Sequence, residues 1–466
     1  MKTRFRWWIV CCLFALVGDG WGAGPALQLP SHRKLTLANG LTLLLVEQHQ
    51  VPVLAIHVVV RAGSVTDPTG KEGLAALTVE LLQRGTQHRT AEQIASELDF
   101  VGGTLAVEAE LERVSLAGEF FKQDADTALD LLSELLQKPS FPATEVEKLI
   151  QQRVDTLKQD KEDARAILPR YFYGALFGHR RYGRPPTGDE RSLVSIHRDD
   201  VVAFHQRHYG PETTIIAVAG DFAAAEMARA LTERFGGWVP AGRTGAIQPP
   251  EPTPWVGKKL VLVNKPDSTQ TYFAIGNVGI ARTHPDRIGV ELVNLVFGGR
   301  FTTMLNEALR VRSGLTYGAG SRFERHRAAG PFFLWSYTQN VNTTRAIDLA
   351  LAVLKQLHTD GISDSQLRSA RNYLKGQFPL CLETADQLAA LLAEWEFYGL
   401  DQREVTELFA RIDAFTTADA RRIIQRYFPA DDLVFVLIGN AATIGAAVKK
   451  YASPVERREI DQPGFQ

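Results

Sequence analysis

The chain carries the same closing module twice, and that repeat limits what it can fold into. Residues 200–221 read DVVAFHQRHYGPETTIIAVAGD and residues 419–440 read DARRIIQRYFPADDLVFVLIGN. Each predicts a helix ending in an aromatic residue, then a Pro, then an apolar strand closed by Gly. Tyr209 matches Tyr427 and Pro211 matches Pro429, both at an offset of 218 residues. Other elements recur in the same order. ALDLLSELLQ (128–137) and AIDLALAVLKQL (346–357) are amphipathic helices late in their halves. NGLTLLLVEQHQVPVLAIHVVV (39–60) and KKLVLVNKPDSTQTYFAIGNV (258–278) read as strand, turn, strand openings. Matching order over so long a stretch predicts two homologous α+β domains, each a mostly antiparallel sheet with helices packed on one face. The Pro- and Gly-rich PAGRTGAIQPPEPTPW (240–255) separates them. The boundaries predicted are a first domain over 29–239, a linker over 240–256, a second domain over 257–450 and a tail over 451–466.

The start of the chain belongs to neither half. Lys2, Arg4 and Arg6 precede the apolar run WWIVCCLFALV, and GDGWGAG supplies small residues. That is the layout of a secretory signal peptide, over residues 1–23. The run covers residues 7–17, whereas crossing a bilayer takes about 20, so no membrane attachment is expected after cleavage. Cleavage near Gly22 would also remove Cys11 and Cys12, leaving Cys381 alone and no internal disulfide. Formal net charge is −1 with 23% charged residues, too balanced to suggest a nucleic-acid partner. A chain of 466 residues can be held together by its apolar core.

Residues 73–86, GLAALTVELLQRGT, follow GSVTDPTGKE. Leu74, Leu77, Leu81 and Leu82 fall at helical spacing, Asp67-Pro68-Thr69-Gly70 gives a turn before them, and Gly85 ends the run. Together with LFGHRRYG (176–183), HYGPETTIIAVAGDF (208–222) and VNLVFGGRFTTMLNEALRVRSGLTYG (293–318), this block resembles the insulinase/pitrilysin family of zinc peptidases. The resemblance runs over roughly residues 30 to 445, and is nearest to short bacterial members related to the mitochondrial processing peptidase. It implies a clam-like half of a peptidase chamber.

In active members of that family the helix reads G-L-A-H-x-x-E-H, two histidines holding zinc and the glutamate acting as general base. Here those positions are Ala76, Val79 and Glu80. The family's third ligand, a Glu, lands close to Thr156–Leu157 in QQRVDTLKQD, with no Glu within two positions. No metal or other cofactor is therefore expected in this chain. Val79 cannot accept a proton, and the segment reads as a core helix.

The family's other functional element is an Arg and a Tyr seven residues apart. It falls on LRVRSGLTY (309–317), which gives Arg310 and Tyr317. The helix through MLNEALR is expected to end near Gly314, with Tyr317 on the following strand. The resemblance implies that this pair contacts substrate and stabilises the oxyanion in a partner's site. In residue terms alone, an Arg in a last helical turn serves the helix dipole, and a strand Tyr is half-buried packing.

The resulting expectation is a subunit that is inactive alone, pairs with a homologous zinc-binding chain, and completes its active site for proteolysis of extended peptides. Zinc is then expected in the partner subunit, and the location is exported, in a bacterial periplasm. The alternative is a structural or peptide-binding homologue with no role in hydrolysis. An independent enzyme with a relocated site is a third class, which stoichiometric zinc in the single chain would favour. Whether the chain counts as an enzyme is left open by the missing His-x-x-Glu-His. Of other candidates, His205 and His208 read as an exposed helical pair, since Ile423 and Arg426 replace them in the second half. His88 and Glu92 match no family ligand. FGGRF (297–301) reads as close backbone packing at a helix end, and PFFLWSYTQN (331–340) as a central strand.

Overall fold

The computed structural model describes residues 29–242 and 251–466. The expected signal peptide and part of the linker lie outside the described residues. Two six-stranded sheets carry the fold. In the first half the strands are β1 (His32–Thr36), β2 (Thr42–Glu47), β3 (Val53–Val60), β4 (Thr104–Ala109), β5 (Val114–Phe121) and β6 (Thr214–Gly220). In the second they are β7 (Lys258–Asn264), β8 (Gln270–Val278), β9 (Ala319–Phe323), β10 (Pro331–Gln339), β11 (Leu433–Gly439) and β12 (Val455–Glu459).

The spatial orders are β1-β2-β6-β3-β5-β4 and β12-β7-β11-β8-β10-β9. The two sheets superpose in concept strand for strand. In each, the closing strand of the repeated module (β6 or β11) enters between the two opening strands, parallel to one and antiparallel to the other. TIIAVAG and LVFVLIG are buried at every position, as strands covered on both faces must be. The outermost strand differs in origin: β1 opens the first half and runs antiparallel to β2, whereas β12 comes from residues 451–466 and runs parallel to β7.

Each half's own helices pack on one face of its sheet. Leu129, Leu132 and Leu135 from Ala125–Gln137, and Leu231 and Phe235 from Ala224–Phe235, bury against Leu43, Leu45, Ile56 and Val58. Val293 and Phe297, Ile347 and Leu354, and Ile423 and Ile424 do the same in the second half against Leu262, Phe273 and Leu437. The other face of each sheet is closed by a helix from the opposite half. Helix Ala385–Tyr398 lays Leu388, Ala389 and Leu392 on Leu44, Ala55, Val59, Ala217 and Ala219 of the first sheet. Helix Ala164–Phe177 lays Ile167, Leu168 and Phe172 on Ala274, Phe333, Val434, Val436 and Ile438 of the second. The halves thus exchange helices across the sequence.

Further contacts lock the exchange. The buried Glu112 carboxylate accepts from Tyr182 Oη (2.6 Å) and from the Arg327 backbone N–H (2.9 Å), while the Arg327 guanidinium lies 4.4 Å over the Phe397 ring. Burial pushes the Glu112 carboxyl above the usual range, and these two donors oppose the shift. The end of the chain returns to the first half: Phe465 meets Tyr171 edge-on at 5.1 Å, and Gln466 Nε2 donates to the carbonyls of Gly178 (2.8 Å) and Gly183 (2.9 Å). No helix among the described residues is long and apolar enough to cross a membrane.

Because the exchanged helix is shared, Leu388→Ala is expected to cost about 2–5 kcal/mol and to destabilise both halves together. Urea unfolding should show a single transition at lower denaturant, coincident by circular dichroism and tryptophan fluorescence.

Candidate active site

The helix at the family's zinc-motif position spans Leu74–Leu81 and continues as a short 3-10 turn to Arg84. Its entry explains why the flanks look specialised. Asp67, buried, accepts from the backbone N–H of Gly73 (2.8 Å) and Ala75 (2.9 Å), so a carboxylate from the preceding turn satisfies the first N–H groups of the helix. Gly73 has φ +95°, and a Cβ there would stand 2.9 Å from the Gly188 backbone N. Arg184 fixes the same turn, donating to the Asp67 carbonyl (3.2 Å) and to Thr69 Oγ1 (3.0 Å). The DP-x-G-K-x-G-L-A pattern is a device for starting a buried helix.

Within the helix every residue but Glu80 is buried. The amphipathic pattern predicted one core-facing stripe; the structure encloses the helix, because helices Arg198–His208 and Ala143–Asp160 and strand β4 surround it. Ala76 and Val79 are 5% and 0% exposed and contribute packing alone. Glu80 pairs with Arg153 of helix Ala143–Asp160, whose Nε lies 3.0 Å from Glu80 Oε2. Arg153 stands one turn before the third-ligand region, where Leu157 is core and the Thr156 hydroxyl donates to the Gln152 carbonyl (2.8 Å). These side chains do not fit a zinc ion: two lack donor atoms, and the one carboxylate is neutralised by a guanidinium. Among the described residues no group of three or more His, Cys, Asp or Glu side chains could hold a metal ion. Arg153 was missed in the sequence, although a cation in QQRVDTLKQD, beside a region expected to supply a metal ligand, was a usable signal.

Arg310 and Tyr317 lie on a segment that starts at Thr303, whose Oγ1 accepts from Asn306 N–H (3.2 Å). After Met304–Asn306 the helix widens into a π-helical turn over Glu307–Arg312, and Gly314 ends it at φ +62°. Such turns recur at functional sites. Leu309 anchors the turn in the core, while the Arg310 guanidinium lies 4.8 Å over the Phe301 ring. Tyr317 was expected on the following strand. It sits instead in a bend before β9, because Thr316 Oγ1 accepts from Gly318 N–H (3.1 Å) and holds the chain in a loop. Its ring is 80% exposed. Among the described residues neither Arg310 nor Tyr317 makes a side-chain hydrogen bond or ion pair, and no contact joins them to Ala76, Val79 or Glu80.

The glycines of FGGRF pack as expected. Gly298 O accepts from Ser321 N–H (2.9 Å), and a Cβ on Gly298 would stand 2.3 Å from Ser321 Oγ. The loop is thereby pinned to β9, beside Tyr317. PFFLWSYTQN is β10, flanked by β8 and β9. His88 and Glu92 are exposed and remote from any site.

The reading of His205 and His208 as exposed is corrected by the structure: both are buried. His205 Nε2 lies 2.9 Å from the Leu136 carbonyl and its ring stacks on Tyr209 at 4.7 Å, in the place of the fully buried Ile423 of the other half. His208 lies against Phe204 at 4.4 Å.

Comparison with known proteins agrees with this architecture. The model of "Insulinase (Peptidase family M16)" matches residues 42–189, and that of "Peptidase M16 inactive domain" matches residues 195–374. The chain belongs to the M16 family. Among its relatives are an uncharacterized zinc protease of Mycobacterium tuberculosis, 26% identical over 88% of this chain and 94% of the relative, and the "Non-peptidase homolog YmxG" of Helicobacter pylori, 23% identical over 84% and 90%. The crystal structure of a peptidase M16 inactive domain from Pseudomonas fluorescens superposes with a TM-score of 0.82 at 23% identity, covering 88% of this M16 chain and 98% of its own. That structure bears out the two-domain α+β fold.

Burial holds His205, and His326 in the interface between the halves, at about 4, below the usual 6.5. Their neutral forms contribute stability that is present above about 6.5 and lost as pH falls toward 4. Melting temperature should drop across that window, and His205→Ile, which copies Ile423, should flatten the drop when melting is followed from pH 7 to 4.

Proposed function

We propose that this M16 peptidase-like chain is the non-zinc subunit of a shared peptidase, placing Arg310 and Tyr317 against substrate bound to a homologous zinc-binding chain. The observation that carries this reading is the contrast between its two motifs. The helix with Ala76, Val79 and Glu80 has been rebuilt as core with an ion pair, whereas Arg310 on the π-helical turn and Tyr317 in the bend after it make, among the described residues, no side-chain hydrogen bond or ion pair. Their chemistry suits the role. Peptide hydrolysis builds negative charge on the scissile carbonyl oxygen, and a guanidinium and a phenol held in place are donors for it. The partner supplies the metal and the general base. Substrates enter as extended peptides, consistent with strand addition at a sheet edge. The basic and apolar start of the sequence supports export, and the periplasm is the compartment proposed.

The exposure of Tyr317 and the stacking of Arg310 on Phe301 are also what a peptide-binding homologue without hydrolysis would show. Reconstitution separates the two. The chain alone should neither retain stoichiometric zinc after dialysis nor hydrolyse peptides. Mixed with a zinc-binding partner it should support turnover, and Tyr317→Phe or Arg310→Ala should lower kcat by roughly 10²–10³-fold. Unchanged turnover in both variants, with peptide binding preserved, would establish the binding-only reading instead.

A further inference from the structure

A strip of the second sheet beside Tyr317 has the makings of a peptide subsite. Helix Ala164–Phe177 covers β11 and β8 and seals Phe333 through Phe172 (5.1 Å between rings). Further along β10, Trp335 and Tyr337 point to the same face and remain half-exposed. Tyr272 of β8, opposite Tyr337 in register, stacks on it at 5.4 Å with the rings 19° apart. The residues beside Trp335 in the neighbouring segment, Gly318 and Gly320, carry no side chain. Gly320 pairs with Trp335, and a Cβ on Gly318 would come 3.8 Å from the Trp335 ring. Tyr317 directly precedes Gly318 in the chain, so the strip begins next to the Tyr317 bend.

Asp163 and Arg165 are charges at this surface, and the Asp163 carboxylate caps the exchanged helix, accepting from the Arg165 N–H (2.9 Å) and the Ala166 N–H (3.2 Å). From the exchanged helix, the exposed Arg165 places its guanidinium 5.7 Å from the Trp335 ring and 5.9 Å from the Tyr337 ring. Among the described residues Arg165, like Arg310, has no carboxylate partner. A cation held over rings is electrostatically favourable, yet it leaves the guanidinium fork free for an incoming anion. Half-exposed rings accept another ring edge-on at their free edges.

We propose that Trp335, Tyr337 and Arg165 form a subsite for an extended, acidic peptide segment carrying an aromatic side chain. The aromatic side chain packs on Trp335 and Tyr337, and a neighbouring Asp or Glu pairs with Arg165. This deepens the proposed function by naming a substrate class, and it rests on the reading that the Tyr317 loop lines a peptide-binding surface.

The test uses the single full chain and fluorescence anisotropy with labelled, end-capped peptides: Glu-Glu-Phe-Glu-Glu, the same peptide with Phe replaced by Ala, and the same with Glu replaced by Lys. The acidic aromatic peptide should bind about tenfold more tightly than either control. Arg165→Glu, a change at an exposed position, should abolish that advantage over the Lys peptide. Trp335→Ala and Tyr337→Ala should abolish the advantage of Phe over Ala while keeping the charge preference. Failure of the acidic aromatic peptide to bind, equal binding of all three peptides, or an unchanged preference in Arg165→Glu would overturn the proposal. Because binding is read on the single chain and turnover on the reconstituted pair, this subsite can fail while the catalytic reading stands, and the reverse.

Discussion

The exchange of helices between the halves is the constraint on which this structure rests. Each sheet has a central strand buried on both faces, and the sequence segment of its own half supplies helices for one face. The second face is closed by Ala385–Tyr398 in one case and Ala164–Phe177 in the other. Removing either would expose a continuous apolar surface of Val, Leu, Ile and Ala side chains, which no folded domain leaves to water at that scale. The angle between the sheets, and with it the position of every loop on their open ends, is therefore set by cross-packing rather than by the linker.

The zinc-motif helix shows how a site can be lost without weakening the frame around it. The positions that the family resemblance assigns to zinc ligands fall here on or beside two helices, Leu74–Leu81 and Ala143–Asp160. Here Ala76 and Val79 fill the space with apolar atoms, and Glu80 and Arg153 join the same two helices through an ion pair. The start of the helix is untouched, because Asp67, Gly73 and Arg184 serve its backbone and not the metal. Sequence flanks of an active site can persist for reasons of folding after the chemistry has gone.

Much of this was legible in the sequence. The repeated helix–strand module pointed to the two domains, and the residues at 76 and 79 marked their segment as a core helix. What escaped was relational. Periodicity says that Ala164–Phe177 is buried, but not that it lies on the other half's sheet. His205 and His208 were read as exposed because Ile423 and Arg426 replace them in the second half, whereas one carbonyl and a ring stack satisfy His205 inside the core. Tyr317 was put on a strand because the helix before it was expected to end near Gly314. A side-chain hydrogen bond from Thr316 to the backbone keeps it in a loop, and such local competition is not visible in composition. Arg165 could not be joined to Trp335 and Tyr337 from spacing alone, since they meet only through the helix exchange.

The exchange also has a consequence for how the protein is made. The first half leaves the ribosome with helix Ala164–Phe177 complete, but the strands it covers, β8 and β11, lie about one hundred and more than two hundred and fifty residues further on. Its own sheet, whose last strand is β6, must in turn wait for Ala385–Tyr398. Each half is thus an incomplete body until the chain is nearly finished, with an apolar face and an apolar helix both exposed in the interval. Contacts of this sequence separation make for slow folding and for a period of vulnerability to aggregation. A chain with this architecture is suited to folding as a whole once it is complete, and poorly suited to folding domain by domain during synthesis.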